Sequence, residues 1–144
     1  MRFHASCAAY LGPDGYDSVL LLGASGSGKS DLLLRLLHEG WLMVADDQVI
    51  VEDGIARAPE ALAGVMEVRG LGLFKQPYLA QAPLRLVVQL GVQTIRLPEP
   101  QTHDVLNLPM VTLDPDQHSA PARLALALAA ACGRAAQIAG AFAV

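Results

Sequence analysis

Cysteine is scarce. Cys7 and Cys132 are the only two, too few for a disulfide framework, and both read as small buried residues. Lysine is as rare, with Lys29 and Lys75 supplying two of the ten bases. Basic charge is in deficit altogether, fourteen acids against ten bases for a formal charge of −4. A protein that grips duplex nucleic acid carries a basic face, so nucleic acid is excluded as the expected partner. Long apolar runs are missing too. Leu124 to Gly133 and Ala135 to Val144 are separated by Arg134, and neither approaches the roughly 20 residues of a membrane span. The opening Met1-Arg2-Phe3-His4-Ala5-Ser6 soon reaches Gly12-Pro13 without the apolar segment of a signal peptide. No internal repeat or low-complexity linker stands out. What is present is 144 residues, 53% hydrophobic and 17% charged, the profile of one domain over 1–144 with a real core. A soluble cytoplasmic protein with no membrane partner is the expectation.

Residues 2–11 read as a strand and Gly12-Pro13-Asp14-Gly15 as a turn. Ser18 to Leu22 is a short apolar run that fits a central strand. In Lys29 to Glu39, Leu32, Leu33, Leu36 and Leu37 share a face and Gly40 offers a C-terminal stop, so a helix is expected. Leu42 to Ala45 should be a second strand lying beside the first central one. Gln48 to Glu52 and Ile55 to Ala58 flank Asp53-Gly54, a strong hairpin signal. Leu84 to Leu90 and Val111 to Leu113 read as further strands, and Pro121 to about Gln137 as an Ala/Leu-rich helix. Strand, helix and strand followed by hairpins indicate an α/β fold with a mixed sheet.

Gly23-Ala24-Ser25-Gly26-Ser27-Gly28-Lys29-Ser30 matches G-x-x-x-x-G-K-[ST] at every fixed position. At an ordinary glycine frequency of ~7%, a chance match in a chain of this length is about one in 200. A strand precedes the loop and an amphipathic helix follows it, the setting this motif requires. Glycines admit positive φ, so successive amides can turn inward around a phosphate. The helix start adds free N–H donors and partial positive charge. Lys29 would reach the β and γ oxygens, and the Ser30 hydroxyl would ligate Mg²⁺. The alternative is a Gly/Ser-rich turn with a surface lysine.

Phosphoryl transfer also needs an acid near the metal and, for a hydroxyl acceptor, a base. Asp46-Asp47 ends an apolar strand, where ligands of α/β sheets collect. On an extended backbone the two carboxylates would point to opposite faces and hold different jobs. Their plain alternative is a solvated strand end.

These segments, together with Val44-Ala45-Asp46-Asp47-Gln48-Val49 and Met66-Glu67-Val68-Arg69-Gly70-Leu71-Gly72-Leu73, resemble the C-terminal catalytic domain of HPr kinase/phosphorylase. In that family a phosphate loop is followed by an "ADD" segment and an "E-[VI]-R-G-L-G" segment. The third is the specific one, since phosphate-loop proteins in general have no reason to carry it. The resemblance runs from about His4 to Ala122 and reads as a short form without the family's N-terminal domain. It implies a P-loop kinase domain similar in fold to phosphoenolpyruvate carboxykinase. The implied activity uses ATP and Mg²⁺ to phosphorylate a serine of HPr, the phosphocarrier of the sugar phosphotransferase system. Phosphorolysis of phosphoserine-HPr is the implied reverse reaction, and a homo-oligomer, a hexamer in the family, the implied assembly.

By the same resemblance Asp46 is the catalytic aspartate, Asp47 the neighbouring acid supporting the metal, and Glu67 a Mg²⁺ ligand with Ser30. Arg69 is a clamp on the transferring phosphate, His4 a first-strand histidine near the phosphate, and Arg96 a further catalytic arginine. Read without the family, Glu67 and Arg69 could be a surface ion pair of little energetic weight, Gly70-Leu71-Gly72 a plain loop, and His4 an ordinary strand residue. His103 and His118 lack zinc-ligand spacing. Three features depart from the family pattern. Asp31 stands where glutamate is common, Asp114 to Ser119 lacks an expected Gly-Arg, and the long final helix is truncated or missing. These bear on partner docking, hexamer formation and phosphorolysis. Two other functions fit the same motifs, a nucleotide-binding regulatory module without turnover and a small-molecule P-loop kinase.

Overall fold

The computed structural model describes residues 1–143. β1 (Arg2–Gly12) and β2 (Gly15–Leu22) form a long antiparallel pair running from Ala5↔Leu22 to Gly12↔Gly15. α1 (Lys29–His38) follows the phosphate loop, and the Gly40 that terminates it has φ 97°. The strand after it, β3 (Leu42–Ala45), pairs with β1 rather than β2. The expected neighbour relation is therefore corrected, because β1 is long enough to hold β2 along one edge and two shorter strands along the other. The second of these is β4 (Gln48–Glu52), joined to Arg2–His4 of β1. β5 (Ile55–Arg57) returns from it. Asp53 and Gly54 both have positive φ, 53° and 76°, the tight turn whose twist suits a hairpin.

A short 3₁₀ turn (Glu60–Leu62) leads to a separate hairpin of β6 (Val65–Val68) and β7 (Gly72–Lys75). Gly70 and Leu71, expected without the family to belong to a plain loop, form the turn between these two strands, and Gly72 opens the second of them. β8 (Ala82–Leu90) pairs at its start with β5 and along the rest with β2, parallel. β9 (Gln101–Thr102) and β10 (Pro109–Leu113) complete the sheet, β10 lying parallel to β8. The pairings thus return on themselves through β1, β4, β5, β8 and β2. α2 (Ala120–Ala131) stops well before Gln137; Gly133, at φ 76°, ends it.

Alternation along β1 creates two cores. Ala5, Cys7 and Ala9 face inward among Leu20, Val44 and Val49, whereas Ala8 joins the layer under α1 and α2 with Leu32, Leu36, Leu124 and Leu128. Burying a leucine-sized side chain contributes about 1.5–3 kcal/mol, so the fully covered leucines of α1 hold the phosphate-loop helix to the sheet. Cys7 is fully buried, and loss of hydration pushes its thiol up to about 12 against a weaker opposing hydrogen bond from Ser18. Cys132 is only half-buried.

Candidate active site

The segment Gly23–Ser30 joins the carboxyl end of β2 to the first turn of α1. Gly26 and Gly28 have φ 81° and 100°, a backbone hand that other residues resist. Their turns expose the amides at the helix start, and the Gly28 carbonyl accepts the Leu32 N–H at 2.9 Å to begin the helical ladder. Gly23 is needed for space, since a Cβ there would lie 2.3 Å from Ser27 Oγ. That hydroxyl is buried and has no hydrogen-bond partner among the described residues. Lys29 is 7% exposed. Its ammonium donates to the carbonyls of Gly23 at 2.5 Å and Ala24 at 3.0 Å, which stations the charge at the rim of the loop.

The loop forms one wall of a cavity of about 390 Å³. Ser25, Gly26, Gly28, Lys29 and Ser30 line it on one side, and His4, Asp47, Glu67 and Arg69 on the other. Gly23, Ala24 and Ser27 support the loop from outside this lining. Glu67 and Arg69 reach the cavity because Met66, between β6 and the helical layer, is buried and anchors the hairpin there. Among the described residues neither Glu67 nor Arg69 has an ion-pair partner, so the alternative of a surface pair between them is not what the structure contains.

The two aspartates have exchanged environments relative to expectation. β3 ends at Ala45, and Asp47 takes positive φ, 69°, so strand alternation no longer sets their directions. Asp46 is 5% exposed. Its Oδ1 accepts hydrogen bonds from Ser6 Oγ at 2.7 Å and Ser30 Oγ at 2.9 Å. It is thus tied beneath the phosphate-loop serine and does not line the cavity. Asp47 does, with its side chain 64% exposed and its Oδ1 3.5 Å from His4 Nδ1. The carboxylate available to an incoming molecule is therefore Asp47, a correction to the expectation that Asp46 faces the acceptor.

Arg96 is also displaced from expectation. It lines a second cavity of about 360 Å³ with Arg123 and Asp114, not the one at the phosphate loop. Ser6 was missed by the sequence reading, although its signal was available. It lies two residues after His4 on β1, hence on the same face of the strand.

Three or more His, Cys, Asp or Glu side chains do not converge into a metal cage among the described residues. The donors that are present, the Ser30 hydroxyl and the Glu67 carboxylate beside an amide cup, suit Mg²⁺, which is commonly held by one or two protein oxygens together with substrate phosphates. Among the described residues no helix is long and apolar enough to cross a membrane.

Comparison with known proteins places this geometry in context. The profile of the HPr Serine kinase C-terminal domain matches residues 15–98. A curated "HPr kinase/phosphorylase" of Burkholderia cenocepacia is 41% identical over 109 residues, covering 64% of this chain and 34% of the relative. The protein of the same name from Paraburkholderia phymatum matches with the same identity and coverage. The chain therefore spans about a third of the length of the curated relatives it matches. Among solved structures, the Hpr(Ser) kinase/phosphatase from Coxiella burnetii superposes with a TM-score of 0.69 at 21% identity, covering 86% of each chain. That likeness shows a shared fold.

Proposed function

The chain belongs to the family of HPr serine kinase C-terminal domains, and from that premise we propose that it is an ATP- and Mg²⁺-dependent kinase that phosphorylates a serine of an HPr-type phosphocarrier. The reverse phosphorolysis is part of the same proposal. One observation carries the reading: a single cavity joins the phosphate loop to Asp47, His4, Glu67 and Arg69. The names of the relatives point the same way.

In this reading the amides of Ser25–Gly28 cradle the polyphosphate, and Lys29 swings from its own loop carbonyls to the terminal oxygens. Ser30 and Glu67 would hold the magnesium, whose charge would offset that of the phosphates when bound. Asp46 is a positioning residue that orients the Ser30 hydroxyl by accepting from it. Asp47 takes the proton of the serine hydroxyl as its oxygen bonds to the γ phosphorus and the bond from that phosphorus to the β–γ bridging oxygen breaks, releasing ADP. With inorganic phosphate as acceptor in place of ADP, a phosphate oxygen bonds to the phosphoserine phosphorus as its bond to the serine oxygen breaks. A protonated Asp47 gives its proton to that departing oxygen, and pyrophosphate leaves. His4 sits beside Asp47 and orients it. Arg69 stabilises charge on the transferring group from the opposite wall.

The test is incubation of the chain with HPr, ATP and Mg²⁺, followed by intact-mass and peptide analysis of HPr. One phosphate on a serine is the expected result. Nucleotide binding without transfer under any Mg²⁺ condition would leave only a nucleotide-binding module. The roles of the aspartates separate under Asp47→Asn, which should lower the transfer rate by about 10²–10⁴-fold while nucleotide affinity stays near that of the parent. Asp46→Asn should act mainly through the metal, raising the Mg²⁺ concentration needed for half-maximal rate. If Asp46→Asn alone removed transfer at saturating Mg²⁺, the base would be Asp46.

A further inference from the structure

A turn from far along the chain packs against the phosphate loop. β8 runs parallel to β2, and β10 parallel to β8. The register is level, with Leu22 paired to Gln89 and Gln89 to Thr112. The turn after β10 therefore emerges at the same end of the sheet as the loop after β2. Asp114 Oδ1 accepts the Asp116 N–H at 2.9 Å, and the Gln117 carbonyl accepts the Ala120 N–H at 3.0 Å on the way into α2. Pro115, inside this turn, is buried. Its ring occupies the space that a side chain at Gly28 would need, since a Cβ there would lie 3.3 Å from Pro115 Cγ.

Gly28 is where the loop needs outside support. It opens α1 at φ 100°, and among the described residues no side chain caps the first turn of that helix. Glycine takes up a left-handed backbone about as readily as the alternatives, so the composition of the loop permits the phosphate cup without fixing it. A ring packed on Gly28 removes some of those alternatives.

Arg35 holds the ring in place. It follows Asp31 by four residues on α1, the spacing that brings two side chains together on one helix face. Its Nε donates to Asp31 Oδ2 at 3.1 Å, and its Nη2 donates to the Pro115 carbonyl. One guanidinium serves both because its donors are set in a rigid planar fork. An exposed i, i+4 ion pair contributes little by itself; here it aims the fork. Neither Arg35 nor Pro115 lines either cavity, so any effect of theirs on a bound phosphate passes through the loop.

We propose that Arg35 is a positioning residue for the phosphate loop, clamping the turn after β10 so that Pro115 braces Gly28 in the backbone form that aims the loop amides at a phosphate. The proposal rests on the phosphate-loop reading above. Apparent affinity scales with the fraction of molecules whose site is already formed. Releasing the brace should therefore weaken every polyphosphate by the same factor, whatever is attached to it.

Calorimetric titration of the full chain with Mg²⁺-ATP and with inorganic tripolyphosphate tests this. Arg35→Met keeps the stem and removes the donors, and Pro115→Ala removes the ring without touching any charge. Each should weaken both ligands equally, by about 2–30-fold. Combined, they should bind no more weakly than the weaker single variant, because both act along one path. Arg35→Gln takes the place of Arg35→Met if the latter folds poorly. Unchanged affinity in the arginine variants, even with a lower unfolding midpoint, would reduce Arg35 to a structural tie and overturn the proposal. So would weakening by Arg35→Met with none by Pro115→Ala, or losses that multiply in the double variant, either of which would mark a long-range effect of the charge. If the parent bound neither ligand, the phosphate-loop reading itself would fall and this inference with it.

Discussion

Two cavities lie along one sheet edge and are built in different ways. The first is shaped by backbone: glycines at positive φ, amides at a helix start, and a carboxylate locked under Ser30. The second is shaped by side chains on a loop, a strand end and a helix start, brought together from residues 93–123. The first resists substitution because its donors belong to the main chain, whereas the second can be retuned one side chain at a time. The first thus has the construction of a phosphate cup, and the second is a pocket whose lining is side chains.

That contrast can be broken most sharply at the acids, through the loss of about 10²–10⁴-fold in rate expected for Asp47→Asn with binding retained. Next comes Lys29→Ala. Removing a charged donor costs about 1.5–3 kcal/mol, so both ATP and tripolyphosphate should bind about 10–100-fold more weakly. A loss confined to ATP would mean that Lys29 does not act on the phosphates. Smaller still is Ser6→Ala, which removes one of the two hydroxyls held by buried Asp46. It should lower unfolding free energy by about 1 kcal/mol in denaturant titration and raise the Mg²⁺ requirement; no change in either would mean that Ser6 does not position Asp46.

The least effect concerns Cys7, which lines neither cavity. Its thiol titrates at about 12 in the folded chain, above its unfolded value, so the neutral form favours folding. The contribution is fully present below the unfolded pKa and is lost as pH rises from about 9 toward 12. Stability should fall across that window, less steeply in Cys7→Ala. A thiol reagent near neutral pH should label half-buried Cys132 before Cys7, and the reverse order would contradict the packing.

Local chemistry made much of this legible in advance. The phosphate loop is a contiguous run whose composition dictates its backbone, α1 has a leucine face, and Asp53-Gly54 can turn in few ways. The β6–β7 hairpin was less visible, because Leu71 and Leu73 are three-quarters exposed and their pattern does not report a buried face. The end of α2 was overrun because alanine favours helix equally on both sides of Gly133.

Residue order alone thus settled the loop, the strand before it, the helix after it and the identity of the acids, since each depends on neighbours within a few positions. Only the tertiary structure decided that Asp46 is covered and Asp47 open, that β1 separates β3 from β2, and that Arg96 joins Arg123 away from the phosphate loop. Those outcomes depend on which distant strand supplies Ser6, His4 or Thr112 to a given point in space, and no spacing along the chain encodes that distance.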